Sequence, residues 1–453
     1  MSDVTMKEKH GTAYYTTRDL LLYAVGIGCT STEPSEMKYL YERDVQFRAF
    51  ATFPLALPFR ATMTSNHNGD GDGDGDGDDN WNKTDSTRNA SRLFGMPVFP
   101  PPMMDPFPTN HSVNTNTNTN TPSTRRSPGP VIHLSQKFRL HRSLPLSATI
   151  PVEVDITTHI VSIVPHKRGS IIITETRYVC TTHTPSTSTA TSSTDGVSVS
   201  VRSSKGGLCP ATAMGSDLLA TSQSAVLYPQ KLEPISASTS RPTSTQKSNK
   251  NSNFSSTLKP IKFDSNCSKG QLKSPYTYAV KRYTIGKDQA LLYRLSGDTN
   301  GIHVEGSPAL FHTARPILHG LCTLGYAVRA VLCSISDGES EIGSESASAS
   351  GVPICQYVEC RFKKPVFVGD ELEVRIWNGN DSGNGNGNGA QSLSSNNNHN
   401  EHTGGESASV SVESAYFFEI RNVKSNTIVV DRGIVGVGMG VGGHDEHALN
   451  SKL

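Results

Sequence analysis

An aspartate and a histidine five positions apart, Asp298 and His303, are the residues of this chain best suited to moving protons. They lie in the stretch YRLSGDTNGIH, where Gly297, Asn300 and Gly301 interrupt any regular helix and present both side chains from a turn. A carboxylate and an imidazole presented together just ahead of a helix can take a proton from water and hand one to carbon, the work of general acid–base catalysis. The same residue types also build a plain turn, with Asp298 and Asn300 capping the backbone and His303 at the surface.

The spacing predicts a helix from Pro316 onward, in PILHGLCTLGYAVRAVL. Its apolar positions Ile317, Leu321, Leu324, Val328 and Val331 recur three or four residues apart and form one buried stripe. Proline suits the first helical position, where its missing N–H costs nothing. Gly320 and Gly325 each cost a helix up to ~1 kcal/mol relative to alanine, which close packing against a sheet explains. Gly320 has a second reading. In the first turn its N–H is unspent and the helix dipole is positive, so a thioester carbonyl could approach it as in an oxyanion hole.

Two copies of one plan, an early helix followed by antiparallel strands, must position these groups. In the first, Thr16 or Thr17 caps a helix with Leu20, Leu21, Tyr23, Ala24 and Ile27 on one side and Gly28 as its stop. MKYLYERDVQFRAFATFPLALPF then reads as strand or loop. Period-two segments follow between 131 and 180, with a Lys-Arg-Gly turn between the last two strands. The second copy has a strand near 280, a short helix around Asp288–Leu295, a hairpin turning at Gly369-Asp370 and two last strands. The expected class is α+β. The expected organisation is a first unit at 13–181 with a disordered insertion at 61–129, a low-complexity linker at 182–257, a second unit at 270–440 with an insertion at 378–409, and a tail at 441–453.

Composition narrows the function classes. Only 35% of the 453 residues are hydrophobic and the net charge is +1, without a basic stripe for nucleic acid or an uninterrupted apolar run that could span a membrane. Eight cysteines without C-x-x-C spacing read as reduced thiols rather than disulfides or metal ligands. The Asp-Gly run at 70–78 imitates half of a calcium loop, but Lys83 stands where the bidentate glutamate belongs. Ser451, Lys452 and Leu453 form a peroxisomal address read by an import receptor.

YRLSGDTNGIH followed by RPILHGLCTLGYAVR resembles the signature of the MaoC-like, or hydratase 2, family of (R)-specific 2-enoyl-CoA hydratases. YTTRDLLLYAVGIG, MKYLYERDVQF, VIHLSQKFRLHRSLP and CRFKKPVFVGDELEVRIW are similar to further segments of its peroxisomal two-repeat members. The resemblance implies a double hot-dog fold, each antiparallel sheet wrapped around a helix. It implies reversible hydration of trans-2-enoyl-CoA to (3R)-3-hydroxyacyl-CoA in peroxisomal fatty-acid β-oxidation, in the matrix, with no metal or redox cofactor, as a homodimer. Asp298 and His303 would be the catalytic dyad, Asn300 its support, Gly320 the oxyanion N–H and Glu42 an additional acid. Gly301, Ile302 and His319 would contact substrate. Gly301 departs from the proline usual there, and the 303–319 segment is one residue shorter than in relatives. A stand-alone hydratase is expected, without dehydrogenase or sterol-carrier modules. Two rivals remain: a hot-dog acyl-CoA thioesterase and a non-catalytic acyl-CoA-binding protein.

Overall fold

A computed structural model describes residues 8–63, 131–181, 218–232, 234, 278–341, 352–379 and 414–440. Most of the expected insertions, and the tail with Ser451–Leu453, lie outside these residues.

The strands are β1 (Lys9–Tyr15), β2 (Thr62–Met63), β3 (Ile132–Leu140), β4 (Val152–His166), β5 (Gly169–Cys180) and β6 (Leu218–Tyr228) in the first half. The second half has β7 (Ala279–Thr284), β8 (Val352–Phe362), β9 (Glu371–Asn378), β10 (Ser414–Asn422) and β11 (Thr427–Gly440). All pair antiparallel in one sheet ordered β2-β1-β4-β5-β6-β3-β8-β11-β10-β9-β7. Leaving aside the two-residue β2, each half repeats one order: its first strand, then its third, fourth and fifth, then its second. The halves join where β3 meets β8, with Gln136 opposite Cys360 and Phe138 opposite Val358. This is the double helix-and-sheet plan expected from sequence.

The helices differ between the halves. Helix α1 (Thr17–Gly26) has ten residues. Thr16 caps it, and the Asp19 carboxylate accepts from the Thr16 N–H at 2.8 Å. The central helix of the second half (Gly320–Glu341) has 22 residues. Leu324, Val328 and Val331 on its stripe are fully buried. The C-terminal end of α1 rests on that helix, and a Cβ on Gly325 would stand 2.6 Å from Ile27, so the close packing that explains Gly325 is against α1 and not against the sheet.

Three expectations are corrected. The central helix starts at Gly320, not Pro316. Leu318 N–H donates to the Val366 carbonyl at 2.7 Å and Ile317 bridges Phe367, so the 316–318 segment is held extended beside 366–368. Residues 182–257, read as a low-complexity linker, contain β6, which lies between β5 and β3. Its Thr221, Ser222 and Ser224 hide the apolar alternation that marks a strand. The stretch read as strand or loop holds short helices at Met37–Leu40 and Phe53–Phe59. Phe50 and Phe53 pack edge-on or tilted against Tyr39, Tyr15 and Tyr23.

Candidate active site

The turn carrying Asp298 is closed by local polar contacts. Gly297 adopts φ +130°, a conformation that suits glycine. The Asp298 carboxylate accepts from the Asn300 N–H at 3.2 Å, and the Asn300 side-chain oxygen accepts from the Ile302 N–H at 3.3 Å. A single 3-10 turn, Gly301–His303, then swings the imidazole back toward the carboxylate. The Asx-turn reading is therefore correct as far as the backbone goes, but His303 is buried rather than at the surface.

His303 Nδ1 lies 2.9 Å from the Ile317 carbonyl oxygen. A carbonyl only accepts, so Nδ1 carries the proton and Nε2 keeps its lone pair. Burial lowers the His303 pKa below the ordinary histidine value, while the nearby Asp298 charge pulls it back up. Burial also raises the Asp298 carboxyl above its usual value, opposed by His303 and the Asn300 N–H. The imidazole is thus held neutral with a free base, beside a carboxylate able to stabilise it once charged.

His319 lies behind this pair. Its ring stacks on that of His303, with centroids 3.6 Å apart and planes 23° off parallel, and its Nε2 donates to the Asp298 carbonyl at 3.1 Å. Its Nδ1 is buried without a hydrogen-bond partner, and burial pushes its pKa well below normal. Asp298, His303 and His319 offer ligand atoms within 4.8 Å of one another, close enough to raise the question of a metal. The stacking argues against one. Two nearly parallel rings keep their in-plane lone pairs in separate planes, whereas an ion needs both aimed at one point about 2 Å away.

The dyad opens into a cavity of about 470 Å³ built by both halves. Asp298, Asn300, Ile302, His303 and Gly320 all line it. Gly320 is the first residue of the central helix, where an N–H has no intrahelical acceptor. A Cβ there would meet only the Phe362 ring at 3.5 Å, an ordinary contact, so packing does not demand this glycine.

Three predicted site residues are not where the sequence reading put them. Glu42 is exposed after the helix at Met37–Leu40 and does not line the cavity. Gly301 is exposed with open space around it, and His319 lies beneath the cavity wall rather than in it. The buried acid of this region is Glu36, which sequence reasoning missed. Its carboxylate accepts from Arg329 Nε at 2.6 Å and Nη2 at 2.9 Å. Arg329 also donates to the Ile27 carbonyl and lies over the rings of Tyr283 and Tyr326. The one available signal was a lone arginine inside the apolar run LGYAVRAVLC of the central helix, which demands an acid from elsewhere.

Residues 271–399 match the model of the MaoC like domain, and residues 14–72 match that of the MFE-2 hydratase 2 N-terminal domain. It is 42% identical over 100 residues to the peroxisomal multifunctional enzyme type 2 of Drosophila melanogaster, covering 22% of this chain and 15% of that protein. It is 38% identical over 106 residues to the peroxisomal enoyl-CoA hydratase 2 of Arabidopsis thaliana, covering 23% and 30%. The matched stretches therefore span less than a third of either relative. A crystal structure of a MaoC-like dehydratase from Phytophthora capsici aligns over 96% of this chain and 95% of its own, with 19% identity and a TM-score of 0.49.

Proposed function

We propose that this protein adds water reversibly across trans-2-enoyl-CoA to give (3R)-3-hydroxyacyl-CoA. The observation that carries the reading is the tautomer of His303: a buried neutral imidazole with Nδ1 tied to a carbonyl and Nε2 bare beside Asp298. His303 Nε2 takes a proton from water as the water oxygen bonds to C3. The π electrons of the C2–C3 bond shift toward the thioester carbonyl, whose enolate oxygen the Gly320 N–H receives. The Asp298 carboxylate stabilises the imidazolium, which then returns the proton to C2. The sequence balances with water as the only added reactant and calls on no redox group. The cavity suits an anionic carrier as well. Lys9, Arg168, Lys363 and Lys364 line it with Asp298 as its single acidic side chain among the described residues.

The curated relatives named above are peroxisomal by name, and Ser451-Lys452-Leu453 would direct this chain to the same matrix through its import receptor. Homodimerisation belongs to the same reading.

The test is loss of the enoyl-thioester ultraviolet absorbance when the protein meets a medium-chain trans-2-enoyl-CoA, with chiral analysis of the product. A (3R) alcohol is expected. Release of free thiol with no hydration would establish a thioesterase instead. An unchanged substrate that nevertheless binds would reduce the protein to an acyl-CoA carrier.

A further inference from the structure

The first-half wall of the cavity carries a band of hydroxyls. Thr158 and Thr176 lie 2.9 Å apart, Thr174 and Ser224 2.9 Å apart, and Tyr178 and Ser222 3.1 Å apart. All six residues line the cavity. They come from three adjacent strands whose register sets Thr158, Thr176 and Ser222 in one row, with Thr174 and Ser224 in the next. Period-two alternation turns both rows to the same face.

A hydroxyl has one proton to give. In each pair one oxygen donates and the other accepts, so one O–H per pair is left without an acceptor among the described residues. Three such donors therefore face the space that an acyl chain would fill. Water can satisfy them in the empty cavity, but a plain alkyl chain displaces that water and offers nothing in return. Ile160, Ile172 and Val226 line the cavity on the same three strands, so the wall is an oxygen-seeking band beside an apolar one. A wall meant only for hydrocarbon would carry valine or isoleucine at these positions, residues that favour strands.

We propose that the acyl group held here bears oxygen along its chain, as a hydroxyl, keto or ether group, which the donors of β4, β5 and β6 receive. The preferred thioester is then an oxygenated acyl-CoA and not a straight alkyl one. The thioester end of this statement rests on the hydratase reading; the chain preference rests on the hydroxyl band alone.

Saturated thioesters hydroxylated at C5 or beyond, which the proposed reaction neither makes nor consumes, test the chain preference directly. Calorimetric titration would compare dodecanoyl-CoA with its ω-hydroxy derivative and these positional isomers, on wild type and on Thr158→Val/Thr176→Val, Thr174→Val/Ser224→Ala and Tyr178→Phe/Ser222→Ala, each of which removes both hydroxyls of one pair. At least one hydroxylated isomer should bind about tenfold tighter than dodecanoyl-CoA, the size of a buried donor gaining or lacking its acceptor. That advantage should shrink in the variant that lacks the pair facing the chain oxygen, with far-UV circular dichroism reporting that each is folded. Should the alkyl thioester bind as tightly as every isomer, or the advantage survive in all three variants, the proposal is overturned. Hydration of the short trans-2-butenoyl-CoA by wild type is scored separately. Its failure would sink the hydratase reading and leave the binding comparison standing.

Discussion

The two halves share a strand order and differ in what fills the concave side of the sheet. In the second half a 22-residue helix, about 33 Å long, covers that face and buries its stripe completely. In the first half the helix has ten residues, about 15 Å, and its C-terminal end lies against the other half's helix. The uncovered part of the first sheet becomes cavity wall. One topology thus yields a unit that carries the Asp298–His303 turn and a unit that walls the cavity, and the two differ in helix length. The second half spends its turn before the helix on the dyad, whereas the first contributes the Glu36 that locks its loop onto Arg329.

The largest expected effect breaks the second half's chemistry alone. Asp298→Asn and His303→Ala should each lower kcat by ~10²–10⁴-fold, and the double variant by little more than the worse single one, because the two act as a unit. Steady-state hydration rates with the melting temperature alongside would check this; additive losses would mean the groups act independently.

Glu36→Ala attacks the joint between the halves. It leaves a buried guanidinium unpaired and should cost ~3–5 kcal/mol in a denaturant titration, whereas Glu36→Leu with Arg329→Met should recover most of that. The two helix glycines come next. Gly325→Ala forces a Cβ into Ile27 and should cost ~1–3 kcal/mol. Gly320→Ala should not lower the melting temperature, since alanine favours helix, yet should depress kcat by up to ~10²-fold by pushing the thioester off the N–H. Equal behaviour of the two glycines would remove Gly320 from the site.

The pH profile gives a finer comparison. In the proposed mechanism His303 acts as a neutral base; its pKa is lowered by burial, and the Asp298 charge raises it. Removing that charge lowers it further, so the residual activity of Asp298→Asn should persist to more acid pH than that of wild type. A shift of the acid limb toward neutral would contradict the electrostatics described. The smallest effect is Gly301→Pro. Asn300 already has an extended ψ of 122° and Gly301 opens a helical turn in free space, so proline should stabilise by ~0.4–1 kcal/mol on thermal melting.

Some of this was legible in the residue order. The Asp298–His303 turn is shaped by local contacts, glycine and asparagine at fixed offsets and side chains bonding near-neighbour N–H groups, although His319 also reaches the Asp298 carbonyl from farther along the chain. Helix α1 with its cap, the hairpin β4–β5 and the buried stripe of the central helix are likewise period and capping, which a short window contains. Strand β6 was hidden because its cavity-facing side carries Ser222 and Ser224, whose partners are hydroxyls on β5. No window around 218–228 includes those partners.

What the sequence alone determined, then, is the chemistry of the turn and the repeated plan of helix and strands, because both rest on contacts between near neighbours. Tertiary structure decided where the central helix begins, since hydrogen bonds from 316–318 to 366–368 outweigh the signal of Pro316. It buried Glu36 against Arg329 and left Glu42, expected as a catalytic acid, exposed, since only folding sets an arginine on the central helix against a residue 293 positions earlier. It also left the first sheet partly bare, and so made the cavity. Burial and long-range pairing depend on which surfaces meet, and that is not encoded in any single stretch.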